Sequence, residues 1–212
     1  MAAILDYSSL KTEIQNFMNK SNLAGDVDLF IDLCESELAT RLRSARMLAL
    51  TENGNTTTGI LDLDAAPFVR FLEIQSLQID VNGRSRILNY VSPDLYFTQY
   101  ADRIAGTPEY YTVMNNSIYM LPAPDEARDY TALYYQRTTP LDDTNTTNWV
   151  LTNDPQLYLY GSLYHAAVFI RDDQRAQEYM GIFEKLLHIH NDRQKRVRHG
   201  GTSRMISETT VI

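Results

Sequence analysis

The sequence has a single cysteine, Cys34, among its 212 residues. One thiol excludes a disulfide within the chain and indicates a reducing compartment. The chain does not open with a basic stretch followed by an apolar one, so we expect no signal peptide. The longest apolar run, residues 157–170, contains three Tyr, a Ser and a His. It is too short for a transmembrane helix, which needs about 20 residues, and we predict no contact with a membrane.

The sequence also lacks the short motifs of common enzyme sites. It contains no P-loop, no G-x-G-x-x-G and no G-x-S-x-G. His188 and His190 stand two positions apart and face different directions on a helix, and we find no metal-ligand spacing around them. We therefore predict no catalytic residue, no metal and no cofactor, and we interpret Cys34 and His165 as core residues. Three close pairs of carboxylates are interpreted as solvated surface: Glu35 and Glu37, Asp62 and Asp64, and Asp142 and Asp143.

The formal net charge of −8 is unevenly distributed. An acidic balance excludes a protein that coats nucleic acid through its overall charge. Residues 185–204, however, contain six Lys or Arg and one Asp, so their net charge is +5. The rest of the chain therefore has a net charge of −13. A helix C-terminus attracts basic side chains only in its last turn, and this basic stretch is longer. We interpret residues 202–212, which follow Gly200 and Gly201, as an extended arm that docks on another chain.

Helical patterns stand at both ends of the chain, and a strand pattern lies between them. Apolar residues recur at helical spacing after Asp6 and after Asp26, each a predicted N-cap, with the second stripe continuing to Ala45. A buried helix starts at Pro155, and another follows the turn at residues 171–173. We predict an α+β fold: a four-helix bundle of N- and C-terminal helix pairs (1–48 and 150–199), an inserted antiparallel β domain (49–149) and an extended C-terminal arm (200–212).

The middle of the chain predicts hairpins. Residues 51–59 have the composition of a loop. Residues 68–81 form a long strand whose apolar alternation slips by one residue near Gln75 and Ser76, which indicates a β-bulge. Asn82-Gly83 favours a type I′ turn before a returning strand over 84–91. A second hairpin turns at Asn115 and Asn116.

The ordered succession of motifs resembles the head-to-tail adaptor family of tailed phages, including the podovirus tail tubular or gatekeeper-type adaptors. Residues 29–38, LFIDLCESEL, are similar to that family's N-terminal helical motif. Residues 106–111, 118–124, 130–135 and 140–141 resemble its sheet signature. Residues 148–151 and 154–163, followed by the acidic pair at 172–173, resemble its C-terminal helix motif. The resemblance spans nearly the whole chain in the family's order.

This resemblance implies a structural protein of the virion neck, assembled in the host cytoplasm and placed between capsid and tail. It implies a ring, commonly of twelve copies, that binds the portal protein, its own copies and a downstream tail (nozzle or tube) protein. Double-stranded DNA would pass through the channel without specific binding during ejection, and the acidic body suits that passage because few cations face the phosphates.

The predicted contact residues follow from the basic arm and from the hairpin turns. The arm and its approach are expected to bind the portal; this set is Arg193, Lys195, Arg196, Arg198, Arg204, Met205, Ile206, Val211 and Ile212. The hairpin turns are expected to face the tail: Asn82, Gly83, Asn115 and Asn116. Two alternatives stay open. A tail-associated peptidoglycan hydrolase would need two carboxylates facing each other across a cleft, and a DNA-binding module would use the basic C-terminal segment.

Overall fold

The computed structural model describes residues 4–19, 23, 25–100 and 104–198, which form a mixed α+β chain. The chain divides into two compact units. The helical unit comprises Met1–Ala45 and Thr138–Ile212, and the β unit comprises Arg46–Arg137. The described helices are α1 (Tyr7–Met18), α2 (Val27–Arg41), α3 (Pro93–Leu95), α4 (Trp149–Asn153), α5 (Pro155–Phe169) and α6 (Asp173–Arg198).

Helix α5 is the centre of the helical unit. It packs against α1, α2, α4 and α6, which confirms the prediction of a buried central helix. Its buried residues come from every side of the helix: Leu157, Tyr158, Leu159, Gly161, Ser162, Leu163, Ala166 and Ala167. A helix that is apolar all round needs neighbours on all faces. The short helix α4 is one such neighbour that the sequence pattern did not predict.

Local signals set most helix ends in this unit. The Asp6 carboxylate accepts from the Ser9 N–H, and the Ser9 hydroxyl accepts from the Asp6 N–H, so the two residues form a capping box. Asp26 precedes α2 but makes no side-chain cap hydrogen bond. Asp154 and Pro155 begin α5 as predicted. The prediction that α2 continues to Ala45 was wrong, because Leu42 is already extended and the helix ends at Arg41.

The β unit holds two four-stranded sheets. Its strands are β1 (Leu48–Thr56), β2 (Ile60–Asp62), β3 (Phe71–Val81), β4 (Arg84–Ile87), β5 (Asn89–Tyr90), β6 (Tyr110–Met114), β7 (Ser117–Leu121) and β8 (Arg128–Gln136). One sheet has the order β1-β8-β3-β4 and the other β2-β7-β6-β5. The core cluster draws on both sheets: Leu61, Leu63, Phe68, Leu77, Ile79, Leu88, Tyr111, Ile118, Met120, Tyr130, Ala132 and Tyr134.

The predicted loop over residues 51–59 is largely a strand, and this prediction was wrong. β1 pairs antiparallel with β8, with a register shift between Thr51 and Gly54. β1 is an edge strand, so its polar side chains are tolerated while its backbone bonds to β8. The Tyr130 ring occupies the place where a Cβ on residue 54 would lie, so Gly54 permits the two strands to approach.

The first predicted hairpin is present, with one change. The register of β3 against β8 shifts between Ile74 and Ser76, which confirms the predicted bulge. Asn82 and Gly83 both have positive φ, 56° and 76°, as a type I′ turn requires. The predicted return strand splits after Ile87, because β4 pairs antiparallel with β3 whereas β5 pairs parallel with β6. The β unit is therefore antiparallel except for this one pair among its described strands.

Candidate functional site

The predicted portal-binding residues lie at and beyond the end of α6. Arg193 is exposed on that helix. Lys195, Arg196 and Arg198 belong to its last turns, and α6 ends at Arg198. The remaining predicted contacts lie outside the described residues: Arg204, Met205, Ile206, Val211 and Ile212. The predicted arm, residues 200–212, also lies outside them.

The two predicted tail-side turns lie near opposite ends of β3. Asn82 and Gly83 follow the last residue of β3. Asn115 and Asn116, with φ of 46° and 55°, connect β6 and β7. Asn116 lines a surface pocket with Phe71, the first residue of β3. Since β3 has 11 residues, the turns are about 30 Å apart. The structure therefore does not bring these four residues together.

Cys34 lies in the core between α2 and α5. Its side chain is fully buried, and Sγ is 3.7 Å from the carbonyl oxygen of Leu157. Burial raises the pKa of the Cys34 thiol far above its ordinary value. A nucleophilic thiol needs an exposed, electropositive setting, and Cys34 has neither feature. Its interpretation as a core residue is confirmed.

Glu35 is not the solvated surface residue that its sequence neighbourhood suggested. Its Oε1 atom accepts hydrogen bonds from the Leu141 N–H and from the Tyr158 hydroxyl, each at 2.9 Å. Burial raises the pKa of this carboxyl group, although both hydrogen bonds oppose the shift. Asn148 donates from Nδ2 to the same Tyr158 oxygen at 2.6 Å. This half-buried polar network connects α2, α5 and the N-cap of α4.

The other candidate carboxylates stabilise local structure. Asp62 accepts from the Asp64 N–H at 2.9 Å. Asp142 accepts from the Thr144 hydroxyl, the Asn145 N–H and the Thr144 N–H, and these bonds lower its pKa. The bonds from the Asp64 and Thr144 N–H groups, each two residues after the carboxylate, are those of Asx turns.

Glu37 and Asp143 have basic partners. Glu37 pairs with Arg41 one turn along α2 at 3.0 Å. Asp143 is exposed and lies 3.7 Å from Nζ of Lys11. The surface interpretation holds for the exposed Asp143, whereas Glu37 is half-buried, with its side chain 23% exposed, so that interpretation of Glu37 was wrong.

Three histidines have acidic neighbours. His165 Nε2 lies 3.4 Å from Glu37 Oε2, and burial lowers the pKa of His165 despite that carboxylate. The Nδ1 atom of His190, a buried residue, lies 2.8 Å from Asp154 Oδ2. His188 pairs with Asp192 one helical turn away at 3.1 Å, a pairing that was not predicted. Among the described residues, no group of three or more His, Cys, Asp or Glu is placed to hold a metal ion.

Two partly exposed apolar surfaces of the helical unit were not predicted. On α2, Leu33 is 41% exposed and Leu29 is 48% exposed. On α6, Ile189 is 40% exposed. The surface on α6 could have been predicted from the sequence, because the helix has a second apolar stripe at helical spacing beside the buried one.

The comparisons with known proteins agree with the family resemblance. The family model described as SU10 adaptor protein matches residues 5–205, which include nearly all of both units. No curated protein matches the chain. Within the described residues, no helix combines the length and the apolar character needed to cross a membrane.

Proposed function

The chain belongs to the SU10 adaptor protein family, a family of phage head-to-tail adaptors, and on that basis we propose that it forms a ring beneath the portal of a tailed phage. Twelve copies would extend the DNA channel and offer the tail protein a platform. The observation that carries this proposal is the family match over residues 5–205, because it covers both units. The role is structural and places the protein in the virion neck.

The helical unit is the proposed portal-side and subunit-contact part. Helices α1, α2 and α6 all pack on α5, and this packing supports a four-helix bundle built from the N- and C-terminal pairs. A bundle around a largely buried helix is a rigid base for a ring subunit. The basic segment that begins near Lys185 leads from this unit into the proposed portal-binding arm.

The β unit is the proposed tail-side part. Its two hairpin turns are exposed and have glycine or asparagine in the left-handed conformation that the turns require. Because the turns are about 30 Å apart along β3, a tail-side surface that uses both must run the length of that strand. The downstream tail protein would then contact a surface about as long as β3, roughly 30 Å.

The charge distribution supports a DNA conduit. The chain outside residues 185–204 carries −13. Every phosphate contact by Lys or Arg adds salt-dependent affinity, so a wall of mainly acidic residues lets DNA pass without adhering. The basic segment is then available for contacts with protein partners.

Co-expression with the portal protein of the same phage tests the proposal. We expect negative-stain images to show a ring on the portal for the full chain, and portal binding to fall at least tenfold when residues 202–212 are removed. A full chain that never associates with the portal contradicts the adaptor role. A truncated chain that binds as well as the full one contradicts the role of the arm.

A matched pair of variants tests the charge of the portal-binding segment. Lys195→Ala combined with Arg196→Ala removes two positive charges from α6. Arg84→Ala combined with Arg86→Ala removes two from β4, where both side chains are exposed. We expect only the α6 pair to weaken portal binding. Equal losses would contradict a specific role for the basic segment.

A zymogram and a DNA-binding assay separate the alternatives. Clearing of peptidoglycan by the purified chain would support the hydrolase, and the adaptor proposal expects none. DNA binding that persists at high salt would support the DNA-binding module. The adaptor proposal expects only weak binding that disappears as salt rises.

A further inference from the structure

Helix α6 has a second apolar stripe beside its buried one. The buried stripe consists of Ala176, Phe183, Leu187 and His190. The second consists of Tyr179, Ile182, Leu186 and Ile189, at spacings of three, four and three residues. These residues share one side of the helix. Tyr179, Ile182 and Leu186 are only half-buried, and Ile189 is 40% exposed. The chain's own helices therefore leave this stripe partly uncovered.

Two arginines continue the stripe at its ends. Arg175 lies four residues before Tyr179, and Arg193 lies four residues after Ile189. Both side chains are exposed. Arg175 is 3.5 Å from Asp172, so one end of the stripe is partly neutralised. The end at Arg193 is where the stripe presents a positive charge.

Helix α5 forms the other wall of a groove along this stripe. The Tyr160 ring lies 6.2 Å from the Tyr179 ring. Toward Arg193, a cavity of about 270 Å³ is lined by Pro155 and Leu157 of α5 together with α6 residues that include Leu186, Ile189 and Arg193. We call this surface, from Tyr179 to Arg193 with its α5 wall, the α5/α6 groove. Polar residues also line this cavity, namely Asn153, Asp154, Gln156 and His190. The apolar stripe beside it can receive the apolar face of a third helix.

Helix α2 has an exposed face of the matching character. Leu29 and Leu33 lie one turn apart and are 48% and 41% exposed, and Asp28 and Asp32 are exposed beside them. The Phe169 ring, 53% exposed, packs edge-on against Phe30 at 5.4 Å. We call Asp28, Leu29, Asp32 and Leu33 the α2 face. It is apolar with acidic flanks, whereas the α5/α6 groove has an apolar stripe that ends at the exposed Arg193.

We propose that the α2 face of one copy docks in the α5/α6 groove of the next copy. The charge complementarity favours one orientation, because Asp32 approaches Arg193 when Leu29 lies near Ile189, whereas Asp28 is already paired with Lys11 at 3.1 Å. The two surfaces share no residue, so each copy has one of each. Such a head-to-tail contact closes into a ring when its rotation permits. The inference deepens the proposed function, since it rests on the ring and names the surfaces that build it.

Cysteine cross-linking of the full-length chain tests this contact. Leu29→Cys in one preparation is mixed with Ile189→Cys in another, and a short bis-maleimide is added. The wild-type chain shows whether the buried Cys34 reacts. We expect at least tenfold more cross-linked dimer than with the control mixture of Leu29→Cys and Gln177→Cys, because Gln177 is exposed on the opposite side of α6. Equal yields from the two mixtures would overturn the proposal.

Charge exchange provides a second, independent measurement. We expect either single substitution, Asp32→Arg or Arg193→Asp, to lower the dimer yield about fivefold when both cross-linking partners contain it. Combining both substitutions restores the opposite charges, so the yield should recover to within twofold of the original. Helix content by circular dichroism confirms that each variant folds. A double variant no better than the singles would overturn the proposed pairing of these residues.

Negative-stain imaging of the chain with its portal separates the two proposals. If rings form but the cross-link yield stays at the control level, other surfaces build the ring. That result overturns this inference and leaves the proposed adaptor function supported. A specific cross-link without any ring supports the contact and contradicts the ring. The absence of both overturns both.

Discussion

The Tyr158 hydroxyl donates a hydrogen bond of 2.9 Å to the Glu35 carboxylate. The same Glu35 oxygen accepts the Leu141 N–H, and Asn148 donates to the Tyr158 oxygen. One acidic side chain of α2 thus holds the segment that leads into α4 and a buried residue of α5. This arrangement makes Glu35 a residue whose protonation and folding are coupled.

Glu35→Gln should change how stability depends on pH. Burial raises the pKa of Glu35 in the folded chain, so the folded state keeps its proton at a pH where the unfolded chain has lost it. The free energy of unfolding therefore falls as pH rises from about 4.5 to the folded pKa. Gln does not titrate and still accepts both hydrogen bonds, so its curve should lack this fall. Urea denaturation followed by Trp149 fluorescence measures both curves, since Trp149 is the only tryptophan.

Glu35→Ala is the control for that comparison. It leaves the Tyr158 hydroxyl and the Leu141 N–H without their acceptor, which should cost about 1–3 kcal/mol over the whole pH range. If Glu35→Gln and the wild-type chain give parallel curves, the carboxyl group is not the source of the pH dependence.

His165→Gln should remove a pH dependence of the opposite sign. Burial lowers the pKa of His165, and the Glu37 carboxylate 3.4 Å away only partly compensates. The unfolded chain therefore takes up a proton before the folded chain does. The free energy of unfolding falls as pH drops below about 6.5 and levels off below the folded pKa. The same denaturation series from pH 7.5 to 5 checks this, and an unchanged slope in the variant would contradict it.

Short-range signals in the sequence predicted the parts of the fold that depend on local conformation. The type I′ turn requires positive φ, which Asn82 and Gly83 adopt readily. The slip in the apolar alternation near Ser76 indicates the bulge, and Asp154-Pro155 marks the start of α5. These features depend on a few neighbouring residues, so a pattern suffices.

Features that depend on distant partners were not predictable in this way. β1 is polar and looks like a loop, because its stability comes from pairing with β8 about 80 residues later. Glu35 looks like a surface residue until α5 and Leu141 are folded against it. Within the candidate site, the sequence correctly predicted that Asn82-Gly83 and Asn115-Asn116 are turns. The contacts of the basic arm stay predictions.

Gly181→Ala should stabilise the helical unit. Gly181 is exposed in the interior of α6, and a Cβ there would meet nothing within 4 Å. Glycine costs about 0.5–1 kcal/mol relative to alanine at such a position because its unfolded backbone is more flexible. We expect the free energy of unfolding to rise by that amount. A decrease would mean that residue 181 is constrained by something other than its own helix.

Gly161→Ala is the matched opposite case. A Cβ at residue 161 would overlap Sγ of Cys34 and lie 3.1 Å from Cε2 of Phe183. Overpacking of this kind costs about 1–3 kcal/mol, more than the helix propensity of alanine returns. We therefore expect the free energy of unfolding to fall, although the same substitution at Gly181 raises it.

The Cys34→Ala background distinguishes a clash with Cys34 from a general cost at residue 161. Removing Sγ opens the space that the new methyl group needs, so Gly161→Ala should be less destabilising by at least about 1 kcal/mol in that background. Urea denaturation of the four chains of this double-mutant cycle measures the coupling. Additive effects would show that Phe183 or the backbone, rather than Cys34, sets the close approach of α2 and α5.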